Sequence, residues 1–336
     1  MKTALIYNRS TDPAFNLAAE EFLTERFPDF GADRIMMLWR NSRSVIIGRN
    51  QNAFAEVDPD FAEKNGIPVY RRLTGGGAVF HDPGNVNYTV ILPDSAESRL
   101  DYAGCTAPVS EALNALGLDV RLSGRNDLTA GGRKISGSAQ CVNAGRVLHH
   151  GTLLWSADVS LMSGVLRPDA DKLRSKGIAS ISSRVANIKD LLAERGLRPE
   201  IGTPEDFIDY LLSFLGGVTD TLEDCGERIE EIASRRFRTW EWNWGRSPAF
   251  SVTRDNRYPF GSVRAGFDAD RGVIEKIGFS GDFFGRAPVS LLEEKLTGVR
   301  LTNGDLVAAA PDAGEYISGM TPEALADLLL GKRRLR

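Results

Sequence analysis

Arg71-Arg72-Leu73-Thr74-Gly75-Gly76-Gly77-Ala78-Val79-Phe80-His81-Asp82-Pro83-Gly84-Asn85-Val86-Asn87 decides how this chain is read. The segment from Ile67 to Leu73 reads as a strand, and the three glycines after it strip every Cβ from a short piece of backbone, so a ligand can lie directly on it. Two arginines precede the glycines. Guanidinium groups hold carboxylates and phosphates by paired hydrogen bonds, so cations and bare N–H groups converge on one loop, which points to an anionic ligand. Taken alone, Gly-Gly-Gly is more commonly a tight turn flanked by solvated arginines, and the spacing is neither that of a dinucleotide fingerprint nor that of a P-loop. The flanks are a second departure: Asn87 to Leu92 reads as a strand stopped by Pro93, so the order is strand, glycine loop, strand, whereas dinucleotide folds follow the loop with a helix.

Working outward, the chain is predicted to open with a strand (Ala4 to Tyr7) and a helix from Pro13 to about Phe27, with Asp12 as N-cap and Pro13 at the first helical position. Leu17, Phe22 and Leu23 lie near one face of that helix, with Glu20, Glu21 and Glu25 around it. Ile35 to Trp39 and Ser44 to Gly48, parted by Asn41-Ser42-Arg43, read as a hairpin. A polar helical stretch around Asp60 to Asn65 then leads into the strand before the glycines. The 336 residues suit two domains better than one. A net charge of -4 gives no global nucleic-acid footprint, so anion binding must be local. Cys105, Cys141 and Cys225 form neither a disulfide framework nor a metal-binding spacing, and a reducing cytoplasmic setting fits them. The N-terminal apolar run is too short for a signal peptide, and no stretch approaches a membrane span.

A second informative block runs from Ser123 to Ala139, after a helical segment from Cys105 to Leu116. Gly131 and Gly132 form a link, and Arg133-Lys134 open a strand of small residues. Lysine is a compact, movable charge able to touch a carboxylate and a phosphate while one is joined to the other. This makes Lys134 the leading functional candidate, although a lone loop lysine is ordinarily just solvated. Asn126 and Asp127 suit oxygen ligation of Mg²⁺ and an Asx turn equally well. The histidines, His81, His149 and His150, all sit in or beside the glycine-rich blocks. Neighbours in a strand point to opposite faces, so His149 and His150 cannot easily share a metal, and packing or substrate-shaping roles are expected of them.

Beyond these blocks, short helical pieces are expected around Leu161 to Leu173, then helices from Pro204 to Leu215 and Leu222 to Phe237. Trp240-Glu241-Trp242-Asn243-Trp244 alternates like a strand with one buried face. With a boundary at Pro248, residues 1–247 form a catalytic unit and 248–336 a small α+β unit. The smaller unit has strands in Phe250 to Arg254, Gly261 to Asp268 and Val273 to Phe279, and helices from Pro288 to Leu296 and Pro322 to Leu330. The closing Lys332-Arg333-Arg334-Leu335-Arg336 reads as a solvated tail.

In this order the blocks resemble the two-domain lipoate–protein ligases over nearly the whole chain. The similarity is carried by Asn16-Leu17-Ala18-x-Glu20-Glu21, by Arg71 to Asn87 and by Gly124-Arg125-Asn126-Asp127. It continues through Arg133 to Ala139, His149-His150-Gly151-Thr152-Leu153-Leu154, Ser183-Arg184-Val185 and Trp240-Glu241-Trp242. The resemblance implies a mixed α+β catalytic domain like that of biotin ligases and class II aminoacyl-tRNA synthetases, with a small C-terminal domain. It implies that Arg72, Gly75, Gly76, Gly77, Ala78, Val79, Phe80, Asn126, Asp127 and Lys134 hold ATP. Lys134, Arg71, His81, His150 and Gly151 would hold lipoate, Asp127 would hold Mg²⁺, and Val45, Ile46 and Val79 are candidates for an apolar tunnel. The implied reaction forms an acyl adenylate and transfers the lipoyl group to a lysine of apo lipoyl domains of 2-oxoacid dehydrogenases or of the glycine-cleavage H protein. The enzyme would be a cytoplasmic monomer. Octanoyl transfer through a Cys141 thioester is the competing chemistry. Biotin ligation is disfavoured because the Gly-Arg-Gly-Arg-x-Gly loop is missing, and a non-catalytic lipoate carrier is disfavoured by intact Lys134 and both glycine loops.

Overall fold

The computed structural model describes residues 2–158, 165–166, 185–245, 252–270 and 272–331. Its strands are β1 (Thr3–Tyr7), β2 (Arg34–Arg40), β3 (Ser44–Ile47), β4 (Val69–Arg71), β5 (Val79–His81), β6 (Asn85–Pro93), β7 (Val120–Ser123), β8 (Asp127–Ala130), β9 (Arg133–Asn143), β10 (Arg146–Leu154), β11 (Val252–Tyr258), β12 (Gly261–Asp270) and β13 (Val273–Gly281). The larger lobe is built on a seven-stranded sheet of order β1-β2-β6-β10-β9-β8-β7, in which only β1 and β2 run parallel. The fold class is the expected mixed α+β.

Both faces of this sheet are covered, so β2 is buried and apolar from Ile35 to Trp39. On β2, Met36 and Leu38 face one core and Ile35, Met37 and Trp39 the other. The first core takes the helices Tyr102–Ala115, Ile188–Glu194 and Pro204–Phe214, with Trp155 stacked on Phe207 at 4.4 Å between ring centroids. The second takes α1 (Pro13–Glu25) and the helix Gly226–Ile232, which continues as a π-helical turn through Phe237. Asp12 caps α1 by accepting from the Ala14 N–H, with Pro13 at the first turn as the sequence predicts. Two of the three glutamates of α1 are not peripheral, although Glu25 is exposed. Glu20 and Glu21 are both 1% exposed; Glu21 meets Arg236 at 2.9 Å, and its burial raises its pKa against that arginine's pull.

The hairpin expected of β2 and β3 does not form. β2 pairs with β6, whereas β3 lies in a separate three-stranded sheet between β4 and β5. Asn41 explains the divergence: it is wholly buried, and its side chain bonds Asn16 and His81 instead of closing a turn. The tryptophan cluster is likewise a helical turn, Trp240–Asn243, and not a strand. Thr239 caps it by accepting from the Trp242 N–H, and Trp240 stays 59% exposed.

The small sheet β11-β12-β13 has its own core with Val289–Leu296, Asn303–Ala309 and Pro322–Leu329. This C-terminal lobe touches the glycine loop. Gly76 N–H donates to Phe283 O at 3.3 Å and Gly281 N–H to Asn50 O at 2.9 Å. The boundary expected at Pro248, the pieces between Leu161 and Leu173 apart from Val165 and Leu166, and Ser183-Arg184 fall outside the described residues.

Candidate active site

A cavity of about 430 Å³ opens on the second face of the large sheet, beneath the glycine loop. Its floor is one row of the sheet. Trp39 pairs with Asn87 and Asn87 with Thr152; the Thr152 hydroxyl accepts from Gly137 N–H, and Gly137 pairs with Asp127. Residues paired across strands share a face, so these five side-chain positions all point into the cavity, and all five line it.

Lys134 stands at one end of the row. Its ammonium is 2.8 Å from Asp127 Oδ1, and a Cβ added at Gly137 would lie 3.1 Å from Nζ. Gly137 therefore makes the space in which the lysine reaches over the floor. Val185, the last residue of the Ser183-Arg184-Val185 block, forms a bridge beside Lys134, and Ala186 N–H donates to the Lys134 carbonyl. Asn126 donates to Ser138 O at 2.6 Å and accepts from Ser138 N–H through its own carbonyl, which locks this corner by a cross-strand exchange and not by an Asx turn. Toward the other end the wall turns apolar, with Leu17, Trp39, Ile46 and Val79.

The glycine loop contributes Gly76, Gly77, Ala78 and Val79 to the wall. Gly76 needs its glycine twice over: its φ is +90°, and a Cβ would meet the Phe284 ring at 3.1 Å. Arg72 holds the loop together. Its Nε donates to Thr74 Oγ1, Nη1 to Ile46 O, and Nη2 to Gly75 O and Gly77 O, and burial lowers its pKa to about 10. A polar chain continues from Thr74 to His150 Nε2 at 2.8 Å, and from His150 Nδ1 to the buried Glu20 at 2.9 Å. Thr89 donates to the same carboxylate and accepts from the Trp39 indole. His150 and Gly151 thus line the cavity with both ring nitrogens of His150 already engaged.

Three expected ligand residues are outside the wall. Arg71 is fully buried, and its guanidinium donates to the carbonyls of Gly48, Arg49, Gln51, Trp242 and Asn243. It ties the loop after β3 to the tryptophan helix, and the lipoate contact expected of it is not there. Gly75 is shut off because Phe283 O and Phe284 occupy its Cβ space. Phe80 follows strand alternation: Val79 and His81 face the cavity, and Phe80 turns to the opposite core. Val45 turns away in the same manner.

Cys141 is buried outside the cavity wall, and burial pushes its thiol up to about 12. A thiol so held is poorly suited to a thioester route, which asks for an accessible thiolate of lowered pKa facing the ligand. His149 faces the other core, between Tyr88 and Tyr102, as strand alternation predicts. Among the described residues no three His, Cys, Asp or Glu side chains gather as a metal site, and no helix is long and apolar enough to cross a membrane. Sequence reasoning passed over Arg125, Arg257, Asp282 and Phe284, which also line the cavity. Arg125 sits 4.1 Å over the Phe284 ring and donates to Phe260 O, so two later residues place a cation of the earlier block. Arg125 stood inside the quoted Gly124-Arg125-Asn126-Asp127 motif; the other three carried no local signal.

Residues 12–216 match the lipoyl protein ligase A/B catalytic domain, and residues 247–329 match the bacterial lipoate protein ligase C-terminus. Lipoate-protein ligase LplJ of Bacillus subtilis is 38% identical over 95% of this chain and 97% of its own. A crystal structure of lipoate-protein ligase A bound with ATP superposes with a TM-score of 0.60 at 29% identity, over 73% of this chain and 99% of that one. P. falciparum LipL1 in complex with lipoate shares the fold, with a TM-score of 0.75 at 23% identity over 92% and 94% of the two chains. With a matching catalytic domain, a matching C-terminal domain and end-to-end similarity to a curated relative, the chain belongs to the lipoate–protein ligase family and is an enzyme of the ligase class.

Proposed function

We propose that this enzyme activates lipoate with ATP to lipoyl-AMP and transfers the lipoyl group to a lysine of apo lipoyl domains, those of 2-oxoacid dehydrogenase E2 subunits and the glycine-cleavage H protein. One observation carries the reading: a single row of the sheet runs from an ammonium, Lys134, to an apolar end at Trp39. Lys134 lies over β9, three strands from β2, which at the usual strand spacing is roughly 14 Å. An extended eight-carbon acid is about 10 Å long by its bond lengths. The cavity therefore takes a carboxylate at Lys134 and an alkyl chain toward Trp39.

In the first half-reaction a carboxylate oxygen attacks the α-phosphorus of ATP, the bond to the β-phosphate oxygen breaks, and pyrophosphate leaves. Two anions must approach, and Lys134 and Arg125, among the cations that line the cavity, offset their repulsion. Gly76 to Val79, Asn126 and Asp127 shape the nucleotide side, and Arg72 serves by holding the loop carbonyls. His81, His150 and Gly151 shape the lipoate side. Mg²⁺ bound to nucleotide phosphates asks for only one or two carboxylates, and Asp127 and Asp282 both face the cavity; the ion would supply further charge neutralisation there. In the second half-reaction the acceptor ε-amine attacks the adenylate carbonyl, the bond to AMP breaks, and the amine loses its proton. The enzyme acts as a cytoplasmic monomer.

Lipoate-dependent exchange of labelled pyrophosphate into ATP tests the first half-reaction. The wild type is expected to exchange and Lys134→Ala, folded by circular dichroism, to lose at least a hundredfold of the rate, given that a single electrostatic donor is worth roughly that much. Undiminished exchange in folded Lys134→Ala rejects the role given to this lysine.

A further inference from the structure

His81 lines the apolar end of the cavity, with its ring 6.4 Å from that of Trp39, and is 4% exposed. Its two nitrogens are unlike. Nδ1 is 3.0 Å from Asn41 Nδ2, whereas Nε2 is buried without a hydrogen-bond partner among the described residues. Which nitrogen bears the hydrogen follows from a relay of buried amides. Asn16 Nδ2 faces the carbonyls of Ser10 and Arg40, which only accept, so that atom is the amide nitrogen. The same nitrogen reaches Asn41 at 2.9 Å, so Asn41 presents its oxygen to Asn16 and its NH₂ to His81. At the far end Asn8 is oriented in turn, accepting from Ser10 N–H through Oδ1 and donating to Asn16 Oδ1. Nδ1 of His81 must accept, and the ring carries its one hydrogen on Nε2. Burial, with Arg72 and His150 nearby, lowers its pKa to about 3, which keeps it neutral.

We infer that His81 is a specificity residue: its relay-fixed Nε2–H donates to a dithiolane sulfur of lipoate, and so favours lipoate over the unsubstituted octanoate chain. This rests on the lipoate-ligase reading above. Sulfur is a weak acceptor, so the gain is modest, but an alkyl chain in the same place leaves a buried N–H with nothing to meet. Asn8, Asn16 and Asn41 are positioning residues that act through the tautomer.

The test is the ratio of kcat/KM for lipoate to that for octanoate in ATP-dependent loading of an apo lipoyl domain. His81→Phe is expected to lower the ratio roughly three- to tenfold, through a larger loss with lipoate than with octanoate. His81→Gln, which keeps an N–H donor, restores part of it. An unchanged ratio in folded His81→Phe overturns the inference. Should the variants not fold, NMR of the wild-type imidazole decides: Nε2 protonated, Nδ1 bare, and an Nε2–H resonance moved by lipoate and not by octanoate support it, and protonation on Nδ1 overturns it. Failure of the wild type to load either acid overturns the ligase reading, and this inference with it, whereas loading of both acids at a ratio insensitive to His81 overturns the inference alone.

Discussion

Gly137 shows how one missing Cβ makes room for a cavity lysine. A methyl group there would sit 3.1 Å from Lys134 Nζ, 3.3 Å from Cε and 3.6 Å from Asp127 Oδ1. The lysine is partly exposed and can move, so Gly137→Ala should fold well yet displace the ammonium from the floor of the cavity. Thermal unfolding is expected to change by a few degrees at most, while lipoate-dependent pyrophosphate exchange falls about tenfold or more, since small misplacements of a charged group are costly. Wild-type exchange from the alanine variant would show that Lys134 reaches its ligand by another path. The lysine itself was legible because Gly131-Gly132-Arg133-Lys134 joins a flexible link to a strand of small residues. The space made for it was not, because Gly137 and Asp127 meet only through the register of β8 on β9.

At the scale of elements, legibility follows the distance to the partner. The α1 N-terminus, with Asp12 and Pro13 side by side, was readable from neighbours alone. The same holds for the strand, glycine loop and strand order, and for the opposed faces of His149 and His150. The β2–β3 hairpin was misread because each strand's partner lies elsewhere: β6 for one, β4 and β5 for the other. Arg71 was misread for the same reason, its guanidinium meeting Trp242 O, 171 positions later. Its removal gives a clear expectation. Arg71→Ala leaves several buried carbonyls without a donor and opens a cavity, so urea denaturation should show a loss of about 3 kcal/mol or more. A loss below about 1 kcal/mol, the worth of an ordinary hydrogen bond, would mean that the loop after β3 and the Trp240–Asn243 helix hold together without it.

At the scale of the whole molecule, two buried histidines tie stability to pH. Burial lowers the pKa of both His81 and His149 from 6.5 to about 3, so each binds a proton more readily in the unfolded chain. Their share of stability is complete above pH 6.5 and is lost as pH falls toward 3, about 1 kcal/mol for each over the first pH unit below 6.5. Glu21, whose pKa burial raises, works in the opposite sense, gaining stability as it protonates. Urea midpoints across this range for the wild type and His149→Phe isolate one histidine: the variant should lose less stability on acidification, and parallel curves would refute the burial argument. The C-terminal lobe also bears on the whole, because Phe283, Phe284 and Phe260 hold the glycine loop and Arg125 from outside the catalytic sheet. On the proposed function, this cavity joins a carboxylate to ATP and then to a protein lysine. Intact-mass spectrometry of an apo lipoyl domain, incubated with the enzyme, lipoate and Mg-ATP beside a reaction without ATP, tests it most directly. A gain of one lipoyl mass only when ATP is present is the predicted result; no gain with a folded enzyme and a competent acceptor, or a gain that needs no ATP, contradicts it.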